Sequence, residues 1–176
     1  MKVNRPLLVF DLETTGTWRD KDKIIEIGMV KVLADGSRKI FHSRVNPGIP
    51  IPPPVTGITG IRDEDVRDAP YFEDIARQVL DFIGDCDMAG FNVERFDLPV
   101  LERELFQAGL KLDLEDRVIY DAQTIYHINE KRDLTAAYRF YCNKQLECAH
   151  SALADAEATL AVLAAQLEKY GNPEDG

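Results

Sequence analysis

Features typical of secreted and membrane-bound proteins are missing from this sequence of 176 residues. No stretch approaches the roughly 20 apolar residues that a bilayer-spanning helix needs. The first residues run directly into a strand-like segment, without the apolar core and small-residue cleavage site of a secretory signal. Hydrophobic residues make up 45% and charged residues 30% of the chain, a balance typical of a globular domain rather than a disordered one. We therefore expect a cytoplasmic protein with no membrane partner.

Cysteine and histidine are scarce, with three of each. Cys86, Cys142 and Cys148 are odd in number and lack the spacing of metal ligands, which favours reduced thiols over disulfides or a zinc site. His42 and His127 have no neighbours that indicate chemistry. His150 remains as a candidate general base, since an unperturbed histidine has a pKa of about 6.5.

An excess of positive charge is also missing, because the formal net charge is −10. Tight, non-specific binding of duplex DNA depends largely on Lys and Arg side chains that displace phosphate counterions, so this balance argues against it. Charge alone favours a small-molecule or protein ligand. A moderately acidic surface also has a simpler role, which is to keep a protein soluble.

The order of strand and helix patterns predicts a single α/β domain with a mixed central sheet flanked by helices. Residues 7–11 and 24–33 read as strands, and Asp35-Gly36 predicts a hairpin turn to a third strand at 38–45. The prolines that follow predict an extended loop up to residue 54. Helices are predicted from the apolar spacing that begins near residue 75, around 100–106 and over 122–142, with short strands at 88–92 and 118–120 between them.

The last helix has the clearest pattern. Leu153, Leu160, Leu163 and Leu167 lie on one stripe, with Ser151 placed to cap its start and Gly171 to end it. The stripe also includes Ala156, and we expect it to face the core. The domain is predicted to occupy residues 1–170, followed by a C-terminal tail at 171–176.

Four acidic residues are candidates for chemistry, and each also has a structural explanation. Asp11 and Glu13 lie two residues apart at the end of the first strand, so their side chains share one face of the sheet. This pair suits a hard cation such as Mg²⁺ or Mn²⁺, although acids at strand ends often only solvate a turn. Asp97 precedes Pro99 and could cap a helix. Asp155, in the first turn of the last helix, could face water and interact with the helix dipole.

Taken together, these residues form an ordered set. The segments FDLETTG at 10–16, GFN at 90–92 and FD at 96–97, followed by His150 and Asp155 with four residues between them, resemble the three motifs of the DEDDh, or DnaQ-like, 3′-5′ exonuclease family. That family includes the epsilon proofreading subunit of bacterial DNA polymerase III. The match extends from residue 7 to about 168. His150, with Ser151 where the tyrosine form of the family carries its Tyr, indicates the histidine form.

The resemblance implies a ribonuclease-H-like, three-layer fold in which the four acids meet. It implies two divalent metal ions, Mg²⁺ or Mn²⁺, held by Asp11, Glu13, Asp97 and Asp155. His150 is then the base that takes a proton from the attacking water. Two divalent ions would also explain how a protein with a net charge of −10 can bind nucleic acid. They bring positive charge to the place where the phosphate binds.

Substrate contacts follow from the same resemblance. Leu12 is expected to pack against the terminal base, and backbone groups near Thr14 to meet the terminal 3′-hydroxyl. Thr59 resembles a loop position that lines the 3′ nucleotide, and Asn92 belongs to the second motif. Phe96 could stack on a base or lie in the core. Asp121 matches an acid often found near the site, but it could equally cap a helix.

The implied activity is hydrolysis of the phosphodiester bond at the 3′ end of a single-stranded or frayed strand, with release of nucleoside 5′-monophosphates. DNA is the favoured substrate and RNA the alternative, because the motifs describe phosphate chemistry and not the sugar. A DNA polymerase subunit is a possible partner, since the chain has no polymerase domain of its own. The alternative from another class is a non-catalytic module that binds nucleic acid or a polymerase and keeps the same fold.

Overall fold

A computed structural model of the chain describes residues 2–147 and 151–171. The strands are β1 (Leu7–Thr14), β2 (Ile24–Val32), β3 (Arg38–Arg44), β4 (Asp87–Gly90) and β5 (Ile119–Asp121), and the helices are α1 (Pro53–Thr59), α2 (Asp63–Val66), α3 (Phe72–Ile83), α4 (Leu98–Gln107), α5 (Ala122–Asn129), α6 (Leu134–Cys142) and α7 (Ala152–Tyr170). A π-helical turn, Val93–Asp97, precedes α4. None of the described helices is long and apolar enough to span a membrane.

The chain divides into two compact units, residues 1–124 and 125–176. The first unit contains a five-stranded sheet in the order β3-β2-β1-β4-β5. Its β1–β2 and β2–β3 pairs are antiparallel, while β4 runs parallel to β1 and β5 parallel to β4. The mixed sheet predicted from the sequence is confirmed. The single domain predicted over residues 1–170 stays a prediction.

One face of this sheet carries the main core. Leu8, Phe10 and Leu12 of β1 alternate with more exposed neighbours and pack with buried residues of α3 and α4, such as Val79 and Leu101. Strand geometry explains the alternation, because successive side chains point to opposite faces. Asp11 and Glu13 therefore lie on the opposite face from this core.

A bulge joins the sheet to a second, smaller core. Glu13 is paired with Glu26 and Thr14 with Ile24, so Ile25 is the extra residue of β2. Its side chain is fully buried with Ile61 and Val66 and with Ile51. Bulges redirect a side chain in this way, and burial of one isoleucine stabilises a fold by about 1.5–3 kcal/mol. The bulge thus anchors the α1–α2 segment beside the end of β1.

The proline-rich segment differs from its prediction as an extended loop, because α1 begins at Pro53. Proline is well tolerated in the first turn of a helix, where its missing N–H has no partner in any case. The helix predicted around residues 100–106 is confirmed as α4, and a π-helical turn precedes it.

Gly90, at the end of β4, is required by close packing. A Cβ atom there would lie 2.9 Å from the Cβ of Val93 and 3.0 Å from the carbonyl oxygen of Phe10. We expect Gly90→Ala to lower the free energy of unfolding by about 1–3 kcal/mol, the usual cost of overpacking, as measured by urea unfolding. Gly57→Ala is the matched control, because a Cβ there meets nothing within 4 Å. Equal stability of the two variants would contradict this account of Gly90.

The second unit contains α6 and α7, which pack against each other. The leucine stripe predicted to face the core is exposed instead, with Leu153 and Leu160 about 70% exposed (71% and 68%). The buried positions of α7 are Ala158 and Val162. Ser151 is the N-cap residue of α7, but its side chain makes no capping hydrogen bond, whereas Gly171 ends the helix as predicted.

Candidate metal centre

Asp11 and Glu13 project from the face of the sheet that the main core leaves open. Asp11 pairs with Gly28 of β2, and Glu13 with Glu26. Residues directly opposite each other on antiparallel strands share a face, with their Cβ atoms about 4.5–5.5 Å apart. The period-two prediction for Asp11 and Glu13 is therefore confirmed, and Glu26 is brought to the same face.

The loop after β1 is fixed by its own polar contacts. The hydroxyl of Thr15 donates to Oδ1 of Asp22 at 3.0 Å, and the backbone N–H of Lys23 donates to that hydroxyl at 2.9 Å. Gly16 has no room for a side chain, since a Cβ would lie 2.5 Å from Oδ2 of Asp22. The hydroxyl of Thr14 donates to the carbonyl oxygen of Gly16 at 2.6 Å. This loop holds the end of β1, and with it Glu13, in one position.

Asp97 reaches the same region from the other side of β1. Because β4 runs parallel to β1, the segment after β4 emerges at the end of the sheet where Asp11 lies. Asn92 adopts a left-handed conformation (φ +60°) and leads into the π-helical turn that ends at Asp97. Such turns occur often at functional sites. The helix-cap alternative for Asp97 is wrong, because its side chain makes no capping hydrogen bond.

The charges of these acids affect one another. Burial, and after it the negative charges of Asp11 and Glu13, raise the pKa of Asp97 to about 7. Burial also raises the pKa of Asp11, helped by the charge of Glu26. The pKa of Glu13 is raised by burial first, and then by Asp11 and Glu26. Three carboxylates thus lie close enough to resist ionising together, which is the condition that a bound cation relieves.

Asp121, at the end of β5, has a different environment. Its burial raises the pKa, but four backbone N–H groups donate to the carboxylate, and the net pKa is lowered. Those of Asn92 and Glu94 hold the loop after β4, at 2.9 and 3.2 Å, while those of residues 123 and 124 belong to the start of α5. The cap alternative for Asp121 is confirmed. Its donors satisfy the carboxylate and also fix the loop that leads to Asp97.

Asp155 belongs to the second unit. It lies in the first turn of α7 and is half-buried. Its Oδ1 atom is buried and has no hydrogen-bond partner among the described residues. The alternative that Asp155 simply faces water is therefore wrong. His150 lies outside the described residues.

These residues fit a divalent cation by their donor chemistry. Carboxylate oxygens are the ligands that Mg²⁺ and Mn²⁺ prefer. The charges of Asp11 and Glu13 raise the pKa of Asp97, and the charge of Asp11 raises that of Glu13. Asp155 carries a buried oxygen with no hydrogen-bond partner among the described residues. Within residues 2–147 and 151–171, no three Asp, Glu, His or Cys side chains are already arranged so that they could hold a metal ion. The fit therefore rests on mutual repulsion and donor type.

The predicted substrate residues have varied surroundings. The Leu12 side chain is 5% exposed in the main core, and Phe96 is partly buried against the same core. Thr59 ends α1, where its hydroxyl donates to the carbonyl oxygen of Val55 at 2.9 Å and accepts from the N–H of Ile61 at 3.1 Å. Thr14 is buried, and Asn92 is half-buried. Their contacts with a substrate stay predictions.

Glu26 is a residue of this face that the motifs did not identify. The sequence contained part of the information on its position. The hairpin turn at Asp35-Gly36 sets the β2–β3 register, which places Arg44 opposite Glu26. The β1–β2 register that places it opposite Glu13 depends on a longer loop and a bulge, which the sequence did not reveal.

Comparisons with known proteins match most of the chain. A family model described as RNase_T, exonuclease, matches residues 8–163. The PolC-type DNA polymerase III of Caldanaerobacter subterraneus subsp. tengcongensis is 34% identical over 167 residues, which cover 92% of this chain and 12% of that protein. The 3′-5′ exonuclease DinG of Staphylococcus aureus is 29% identical over 165 residues, covering 92% of this chain and 18% of DinG.

A solved structure shows the same fold. The crystal structure of E. coli exonuclease I in complex with a dT13 oligonucleotide aligns with a TM-score of 0.64 and 18% identity, over 97% of this chain and 42% of that one. The α/β, ribonuclease-H-like fold is thereby confirmed. The chain spans less than a fifth of the two curated relatives and less than half of exonuclease I.

Proposed function

This chain belongs to the exonuclease family, whose members depend on divalent metal ions, and from that premise we propose a specific activity for it. It removes nucleotides one at a time from the 3′ end of a single-stranded or frayed strand and releases nucleoside 5′-monophosphates. The observation that carries the proposal is the set of carboxylates of Asp11, Glu13 and Asp97 at the end of β1. The pKa of each is raised, and the charges of Asp11 and Glu13 contribute to the raised pKa of Asp97.

In this proposal Asp11, Glu13, Asp97 and Asp155 hold two divalent ions, Mg²⁺ or Mn²⁺. Bound there, the ions would stabilise the attacking and leaving oxygens of an in-line displacement at phosphorus. Four carboxylates carry four negative charges, which two divalent ions neutralise. The mutual repulsion of the acids in the metal-free protein is thus the source of their affinity for cations.

His150 acts as the general base in this proposal. A neutral imidazole can accept a proton from the attacking water, which is the role that histidine fills in general base catalysis near neutral pH. The 3′ end is proposed to lie between the end of β1, at Leu12 and Thr14, and the α1–α2 segment at Thr59, with Asn92 and Phe96 as further contacts. The fixed loop after β1 favours this role, because a rigid backbone can hold the terminal nucleotide in line.

DNA is the proposed substrate in preference to RNA, because the relatives over this region are DNA polymerase III of the PolC type and DinG, and the solved relative is exonuclease I with a DNA oligonucleotide. A polymerase subunit is a proposed partner on the same ground. A cytoplasmic location is also part of the proposal, on the ground of the bacterial DNA polymerase and exonuclease that the chain resembles.

The test uses end-labelled single strands of DNA and RNA of equal sequence. With Mg²⁺ or Mn²⁺ we expect stepwise shortening from the 3′ end and release of 5′-monophosphates, faster on DNA, and no reaction with a chelator. His150→Gln should slow release about 100-fold without changing Mn²⁺ binding. Strand binding without any metal-dependent release would favour a non-catalytic module, while faster release from RNA would contradict the choice of substrate.

A further inference from the structure

A fifth carboxylate acts on the open face of the sheet. Glu26 is the β-sheet partner of Glu13, and its side chain is 25% exposed. Like charges placed directly opposite each other on neighbouring strands repel. The charge of Glu26 contributes to the raised pKa of both Asp11 and Glu13. Glu26 therefore belongs to the electrostatic environment of the proposed metal ligands without being one of them.

The edge strand β3 holds Glu26 from its other side. Arg44 is the β3 partner of Glu26, so Glu13, Glu26 and Arg44 form one row across three strands. The Nε–H of Arg44 donates to Oε2 of Glu26 at 2.5 Å, and Nε2 of His42 lies 3.2 Å from the same oxygen. Both contacts come from β3, which lies on the side of β2 opposite to β1 and Glu13.

We propose that Arg44 is a positioning residue that holds Glu26 outside the metal centre, and that the Glu26–Arg44 pair sets the affinity of that centre for divalent cations. The inference rests on the proposed function, because it assumes a cation at Asp11 and Glu13. The pair carries no net charge, so the four proposed ligands and two divalent ions remain balanced. Without Arg44, the carboxylate of Glu26 can turn toward Glu13 and add a negative charge beside the cation.

A purely structural ion pair gives a different pattern. If Arg44 and Glu26 only anchored the edge strand, removing either partner would have the same effect, a loss of stability. A pair that sets the local charge gives effects of opposite sign on cation affinity, because Arg44→Gln leaves one extra negative charge and Glu26→Gln removes one. The double variant has the same net charge as the wild type and should bind cations like it.

The test is a calorimetric titration of Mn²⁺ alone into metal-stripped protein, without substrate. We expect Arg44→Gln to bind Mn²⁺ about 10-fold more tightly and Glu26→Gln about 10-fold more weakly, the size of effect expected for one charge acting on a divalent ion at partly exposed positions. The double variant should stay within about threefold of the wild type. Arg38→Gln is the matched control, since Arg38 lies on the same strand opposite Val32, away from the acids.

Three results would overturn the inference. The two single variants could weaken Mn²⁺ binding alike, they could leave it unchanged while remaining folded by circular dichroism, or Arg38→Gln could tighten binding as much as Arg44→Gln. If the wild type degrades strands with Mn²⁺, each of these results counts against the inference alone. A wild-type protein that binds no Mn²⁺ and degrades no strand would overturn the proposed function together with the inference.

Discussion

Asp11→Asn is expected to slow mononucleotide release by about 10³-fold or more. Asp11 is one of the proposed ligands of the two divalent ions, and its carboxylate lies on the open face of the sheet beside Glu13. Bound metal ions stabilise the charge of such a transition state by several kcal/mol, and each 1.4 kcal/mol, approximately, corresponds to a tenfold change in rate. Release of labelled nucleotide from a single DNA strand in saturating Mg²⁺ gives the rate.

The matched control for this variant is Asp81→Asn. Asp81 is an exposed residue of α3, the helix that packs on the opposite face of the sheet, so the same chemical change there should leave the rate within about twofold of the wild type. Circular dichroism establishes that both variants fold. An Asp11→Asn protein that keeps more than a tenth of the wild-type rate would show that Asp11 is not a metal ligand of the reaction.

Asp97→Asn is expected to stabilise the metal-free protein at pH 8, although it removes a proposed ligand. Asp97 is buried, and its pKa is raised to about 7, from about 3.9 in an unfolded chain. The folded state therefore holds its proton more tightly than the unfolded state does. Stability falls as pH rises from about 4 to about 7, by up to about 4 kcal/mol, and the loss is complete above the folded-state pKa.

Asparagine avoids this cost because it is never charged. In the presence of a chelator, Asp97→Asn should raise the midpoint of thermal unfolding by about 8–16 °C at pH 8, since 1 kcal/mol corresponds to about 2–4 °C for a chain of this size. At pH 4.5, where Asp97 of the wild type is protonated, the two midpoints should agree closely. Added Mn²⁺ should stabilise the wild type at pH 8 and not the variant. A lower midpoint for Asp97→Asn at both pH values would contradict this explanation.

The sequence predicted the part of the site that depends on local geometry. Alternation along β1 placed Asp11 and Glu13 on one face, and the Asp35-Gly36 turn fixed the β2–β3 hairpin. Both follow from spacing within one or two strands. Glu26 was missed because its place beside Glu13 depends on the bulge at Ile25, a feature decided by packing against Ile61 and Val66.

Helix faces were predicted less well than strand faces. The leucines of α7 have helical spacing, and this spacing correctly predicted a helix. It did not predict which side of the helix is buried, because Ala158 and Val162 are buried while Leu153 and Leu160 are exposed. Small residues allow close approach of helices, and hydrophobicity alone does not reveal them. The buried side is the one that carries Asp155.

Helix N-caps were also difficult to predict from the sequence, as Asp97 and Asp121 show. Both were compatible with a helix N-terminus from their neighbours in sequence. Only Asp121 accepts backbone N–H groups of the helix that follows it, whereas Asp97 makes no capping bond and lies buried beside other carboxylates. The difference arises from the π-helical turn before α4, which has no recognisable pattern in the sequence. The chemistry of an acid is thus decided by contacts that are distant along the chain.

The most direct test of the central claim is anomalous X-ray diffraction from crystals grown with Mn²⁺. Two strong Mn²⁺ peaks are expected within bonding distance, about 2.0–2.3 Å, of carboxylate oxygens of Asp11, Glu13, Asp97 and Asp155. Peaks that lie elsewhere on the protein, or a map in which these four carboxylates contact no Mn²⁺, would contradict it.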